Sequence, residues 1–177
     1  MARLPYFDLE QASPTYRKMI GARPPLNLYR MLPHGGAVGE GFLALGGAIL
    51  RESELDPTLR ELVILRVGAL SGASYEIHQH RRVARKAGVP ENKIESVLDH
   101  GAAEPDPNVF SDLEIRLIRF TDAVVRDVKA PAPLYEAVAS VLSNKQLIEV
   151  LMTIGFYMLV SRFLENLEID IENPPVV

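Results

Sequence analysis

Between Pro57 and Leu70 the chain reads Pro-Thr-Leu-Arg-Glu-Leu-Val-Ile-Leu-Arg-Val-Gly-Ala-Leu, with apolar side chains on nearly every face of a helix. A helix apolar all round is an enclosed helix, so the remaining chain has to supply its shell. Asp56 suits its N-cap and Pro57 its first position, where a missing N–H costs nothing. Glu61 sits inside this run, and a carboxylate there needs a partner or a raised pKa. Ser71 and Gly72 close the helix, and Ser74 is expected to cap a second one reaching about Ala87, with Gly88 as its stop. On that second helix Glu76 and His80 are one turn apart and share a face. His78 falls roughly 200° around from Glu76, on a different face. Two helices joined by a short turn lie antiparallel, which is expected to bring Glu61 towards Glu76 and His80. A buried Glu–Glu–His cluster titrates as a unit with a member near neutrality, the property general acid–base chemistry requires.

The flanking sequence supplies more helices and no strand alternation, so the fold is expected to be all-α. Residues 1–25 hold Pro5, Pro14, Pro24 and Pro25 and read as an N-terminal arm with one short helix after Ser13, of the kind that packs across a neighbouring subunit. A helical domain is expected over residues 26–171, followed by a tail over 172–177 ending in Pro174-Pro175. Within the domain, helices are expected over 26–32, 37–52, 91–99, 111–127, 134–142 and 143–168. Ser111 with Glu114, and Ser143 with Gln146, are capping boxes. Gly39, Gly41, Gly46 and Gly47 in the helix before the buried run point to close approach of another backbone. A faint internal two-unit repeat links Leu59-Arg60-Glu61-Leu62-Val63 to Leu147-Ile148-Glu149-Val150-Leu151. Glu149 has no following His or second acid, and reads as structural.

Composition narrows the function classes. A net charge of −4 and a pI near 5.6 argue against a nucleic-acid binder. Arg81, Arg82, Arg85 and Lys86 read as the solvated face of their helix. The absence of cysteine excludes disulfides, thiolate metal sites and thiol redox chemistry. No signal-peptide pattern opens the chain, and the apolar run from Val150 to Val160 is short of the roughly 20 residues a bilayer needs. A cytoplasmic protein without membrane attachment is the expectation.

Leu59 to Val67, followed by Tyr75-Glu76, His80, Ala84 and Ala87-Gly88, resembles the carboxymuconolactone decarboxylase family, within the alkylhydroperoxidase-like superfamily. Gly155-Phe156-Tyr157 extends the resemblance, which runs from about Leu26 to Ile171. Peroxidase members carry a Glu, a Cys-x-x-Cys pair and a His four residues after the second Cys. In this chain those positions are Glu61, Ala73, Glu76 and His80. The ends of the proton relay are present and both thiols are missing, so a thiol peroxidase is excluded. The decarboxylase members resemble the chain more closely and use no cofactor. The resemblance implies loss of carbon dioxide from a carboxylated unsaturated lactone, with a proton supplied by the protein. It assigns His80 as general acid, Glu76 as the group holding its tautomer and Glu61 as a second relay or base. An arginine must offset the acids towards an anionic substrate; Arg66 is the first candidate and Arg60 the second. The resemblance also implies a homo-oligomer, commonly a trimer or hexamer.

Each assignment has a plainer counterpart. Glu61 could be a buried salt bridge, to Arg66 for example, and Glu76 with His80 an exposed helical pair worth about 0.2–0.5 kcal/mol. Tyr75 and Tyr157 fit a pocket wall or a packed core equally well. A metal on Glu76, His78 and His80 is disfavoured because three ligands at those spacings on one helix do not converge. The leading expectation is a cofactor-free decarboxylase-type enzyme acting on a small unsaturated acid or lactone. The same site could run an isomerisation or dehydration, and a thiol-less scaffold protein is the non-catalytic alternative. A catalytic His80 predicts that His80→Ala abolishes turnover and leaves the thermal midpoint nearly unchanged.

Overall fold

The computed structural model describes residues 1–101 and 104–173, so the Pro174-Pro175 end of the expected tail lies outside the described residues. The fold is all-α. Among the described residues there are nine α-helices and no strand: α1 (Pro14–Ile20), α2 (Asn27–Met31), α3 (Ala37–Arg51), α4 (Pro57–Ser71), α5 (Ser74–Ala87), α6 (Glu91–Leu98), α7 (Asp112–Asp127), α8 (Ala132–Ala139) and α9 (Asn144–Asn166). They fall into two units, one formed by Met1–Glu52 with the segment from Phe163, the other by Ser53–Arg162.

In the first unit the proline-rich arm packs on its own chain. Ala12, Tyr16 and Ile20 are buried with Leu32 and Leu43, and Phe42 meets Phe163 at 6.0 Å between ring centres. The Tyr16 hydroxyl donates to the Tyr29 carbonyl at 2.7 Å, and the Asn27 N–H donates to Glu172 at 2.6 Å. The second is buried at both ends, which makes it costly to break. Of the α3 glycines expected to meet another backbone, Gly39 does so, against the Leu32 carbonyl. Gly41 faces open space and Gly47 faces the side chain of Arg51 in its own helix.

The second unit is built around α4. Ten consecutive α4 residues, Arg60 to Ala69, are buried, and α4 packs on α5, α6 and α7. Leu62 and Leu65 meet Ala84, Ile94, Val97, Phe110 and Ile118 in one apolar core. Asp56 caps α4 by accepting from the N–H groups of Thr58 and Leu59. At its other end Gly72 takes a left-handed conformation with φ of 65°, which a side chain would strain. Its N–H bonds to the Ala69 carbonyl, and the Ala73 N–H reaches back to Gly68 at 2.9 Å. This 6→1 closure ends α4 and starts α5 within two residues. Ser74 is therefore the first residue of α5, with Ala73 in the cap position and no side-chain cap bond, contrary to the expected Ser74 cap.

Both capping boxes form: Ser111 with Glu114 at α7, and Ser143 with Gln146 at α9. Helix α8 begins two residues earlier than expected, because Pro133 sits in its first turn, where no N–H is needed. Glu149 accepts from Ser53 Oγ and from the N–H groups of Glu54 and Leu55. That is a structural use of its carboxylate. By length and composition alone α9 would cross a membrane, and half of its most apolar window is buried inside the protein.

Candidate active site

The α4–α5 turn places the Glu61 carboxylate beside the His80 imidazole. Gly68 helps set this approach: a Cβ there would crowd Ile77 at 3.2 Å and touch Glu76 at 3.6 Å. Glu61 is 0% exposed, Glu76 3%, Arg60 7% and His80 8%. Four ionisable groups held this far from water cannot be a solvated helical pair, so the exposed-pair reading of Glu76 and His80 falls.

The histidine lies between two acids. Glu61 Oε2 is 2.7 Å from Nδ1 in an aligned hydrogen bond. Glu76 Oε1 is 3.0 Å from Nε2, yet off the N–H axis, so it makes a charge contact and no aligned bond. The aligned partner that fixes the tautomer is thus Glu61, where the resemblance had put Glu76. The other Glu61 oxygen, Oε1, faces Arg60 Nε at 3.7 Å, a loose contact that satisfies neither atom. Leaving a buried polar atom unpaired costs about 1–3 kcal/mol. Arg60 Nε, Glu61 Oε1 and Glu76 Oε1 are three such atoms in one cluster.

Electrostatics follow from that enclosure. Burial pushes the Glu76 carboxyl up to about 7, the nearby His80 charge opposing and Glu61 reinforcing the rise. For His80 burial works downwards, but the Glu76 and Glu61 carboxylates outweigh it and the net shift is upwards. Near neutral pH the pair therefore holds an imidazolium next to a carboxyl that is gaining or losing its proton.

The other expected site residues separate. Arg66 does not face the cluster's acids. Its Nε and Nη2 bind Asp122 of α7 at 2.6 and 2.7 Å, and Nη1 donates to the Val97 and Asp99 carbonyls at 3.1 Å. Its expected substrate-binding role is not supported by this placement: a guanidinium clamped by a carboxylate and the end of α6 is a structural tie. Tyr157 of α9 meets the His80 ring edge-on at 5.0 Å. Tyr75 is buried in the first turn of α5, on a different face from Glu76. His78 is exposed, apart from the cluster. Among the described residues no group of three or more His, Asp or Glu side chains is arranged to hold a metal ion. Sequence reasoning missed Asp122 as the partner of Arg66. It also missed Ser161, one turn beyond Tyr157, whose buried hydroxyl has no partner.

A cleft of about 220 Å3 lies elsewhere in this unit, lined by Arg66, Val97, Asp99, Glu104, Phe110 and Ile118 among others. Its three acids are engaged, Asp99 by the Gly101 N–H, Glu104 by Arg119 and Asp106 by Asn108, whereas the buried cluster keeps unpaired polar atoms.

Residues 36–108, which include Glu61, Glu76 and His80, match the carboxymuconolactone decarboxylase family. The match spans less than half of the chain and is a similarity to that family. Among solved structures, the chain is similar to an uncharacterised peroxidase-related protein with an alkylhydroperoxidase AhpD core from Ralstonia eutropha, with a TM-score of 0.82 and 16% identity over 96% of this chain and 91% of that one. A peroxidase-related protein from Silicibacter sp. TM1040 gives 0.76 and 15%, over 96% and 93%. A protein of unknown function from Agrobacterium tumefaciens, described as an AhpD antioxidant defence protein, gives 0.68 and 20%, over 77% and 90%. At these identities the likeness establishes the AhpD-type fold alone. Among curated proteins none matches the sequence. The chain is cysteine-free, which excludes a thiol peroxidase whatever its structural neighbours do.

Proposed function

We propose that the chain is a cofactor-free acid–base enzyme of the carboxymuconolactone decarboxylase type, acting on a small unsaturated carboxylated lactone or related acid. What supports this reading is the imidazole held between two buried carboxylates, with unpaired polar atoms left over on both acids. A scaffold would be expected to satisfy those atoms internally, whereas a site keeps them for its ligand. In decarboxylation the bond between the carboxylate carbon and the ring breaks, and its electron pair moves into the unsaturated lactone. Carbon dioxide leaves, and one proton from His80 or Glu76 goes to carbon. Glu61 stabilises the imidazolium and fixes its orientation, while Glu76 passes the replacement proton from solvent. Isomerisation uses the same groups but returns the proton without releasing carbon dioxide. A panel of lactone and keto acids assayed for carbon dioxide tests the reading, and product formation without gas would replace decarboxylation by isomerisation.

Glu76→Gln gives the cleaner variant, since it mimics the neutral carboxyl and cannot transfer a proton. Turnover is expected to fall roughly 10²–10⁴-fold. Its stability profile is a second check. An unfolded Glu76 titrates near 4.5 and the folded one near 7. Between those values the folded protein holds more protons, so stability falls as pH rises through the window. The raised His80 adds stability that is complete below about 6.5 and lost as pH climbs through its folded value. Thermal midpoints of Glu76→Gln should therefore be flatter than wild type from pH 4.5 to 7; a parallel profile would show that Glu76 is ionised throughout.

The proposal includes a cytoplasmic homo-oligomer, trimer or hexamer, with no membrane or nucleic-acid partner. Exposed Ile148, Met152 and Leu159 along one face of α9 support self-association. Met152→Glu is expected to lower the mass seen by light scattering, and an unchanged mass would remove α9 from the contact.

A further inference from the structure

We propose that Arg60 holds the anionic end of the ligand, a small carboxylate; this rests on the acid–base reading above. Arg60 and Arg66 lie on one buried helix but are treated differently by the fold. Arg66 has its donors on Asp122 and two carbonyls. Arg60, at 7% exposure, has an Nε with no hydrogen-bond partner, and its ion pair with Glu61 is 3.7 Å long. A planar guanidinium matches a carboxylate through two parallel N–H bonds, and Arg60 still has that capacity to offer.

Its position makes the offer useful. Glu61 touches His80 with one oxygen and faces Arg60 with the other, so one carboxylate links Arg60 to the imidazole. The ligand class follows from the donor set. A planar guanidinium with an unpaired Nε is matched by a carboxylate, whereas a neutral amide leaves the cation unmet.

The experiment is calorimetric titration of the full chain with 2-furoate and with its neutral isostere 2-furamide. Wild type is expected to bind furoate at least roughly 10-fold more tightly than the amide. Arg60→Gln should weaken furoate roughly 10- to 100-fold and the amide by less than about 3-fold. Furoate affinity unchanged in Arg60→Gln, equal losses for both probes, or no wild-type binding of furoate up to roughly 50 mM would each overturn the proposal. If Arg60→Gln fails to fold, Arg60→Lys keeps the buried cation and loses the planar fork. It should still show a loss confined to furoate, and unchanged furoate binding by that variant overturns the proposal equally. Furoate held through Arg60 by a protein that releases no carbon dioxide leaves this inference standing and removes the decarboxylase reading. Carbon dioxide release with an unchanged KM in Arg60→Gln does the reverse.

Discussion

His80→Ala is expected to abolish measurable turnover and to cost about 3–5 kcal/mol of stability, the usual consequence of stripping one partner from a buried ion pair. Glu61 has no exposure, and its one aligned hydrogen bond is to His80 Nδ1. Without the ring its carboxylate faces only Arg60 at 3.7 Å. For a chain of this length the loss corresponds to a thermal midpoint lower by roughly 10 °C. Urea unfolding measures the loss. The expected result differs from the sequence-based expectation that the midpoint would hardly move, because His80 is the aligned partner of a fully buried acid. Loss of stability in His80→Ala therefore does not separate a catalytic from a structural histidine, and Glu76→Gln becomes the discriminating variant. An His80→Ala protein as stable as wild type would mean that the Glu61–His80 contact contributes little to the fold.

The second large effect is expected at Arg66. Arg66→Met leaves Asp122 without its bidentate partner and two carbonyls at the end of α6 without a donor. A loss of about 3–5 kcal/mol follows from the same argument. KM for any substrate found should stay within about 3-fold of wild type, because Arg66 is tied to α6 and α7 and touches none of the three clustered acid–base groups. Pairing the change with Asp122→Leu should recover part of the loss, since an apolar pair can replace a buried ionic one. Urea midpoints of the two single variants and the double variant give the coupling. A large rise in KM with unchanged stability would return Arg66 to the role the sequence first offered it.

The contrast between the two arginines shows where sequence reading stops. The enclosed α4, the turn at Gly72, the shared face of Glu76 and His80, and the separation of His78 all follow from helical periodicity and end signals. Those are local properties, fixed within a turn or two. Which arginine meets which acid depends on partners far along the chain. Asp122 lies 56 residues from Arg66, and nothing in the α7 pattern distinguishes it from a surface acid. The roles of Glu61 and Glu76 around the ring were inverted for a related reason. Spacing places both near His80, but ring orientation decides which oxygen meets an N–H in line. In the proline-rich arm, burial of Tyr16 and Ile20 depends on tertiary contacts that its composition does not display.

The closure at Gly72 limits how this protein can change over generations. Helix α5 starts immediately where α4 stops, so one residue added or lost in the turn would rotate everything beyond it by about 100°. The imidazole would then swing away from Glu61, and Gln79 or Arg81 would take its place. Variation around the site must come by replacement at fixed length.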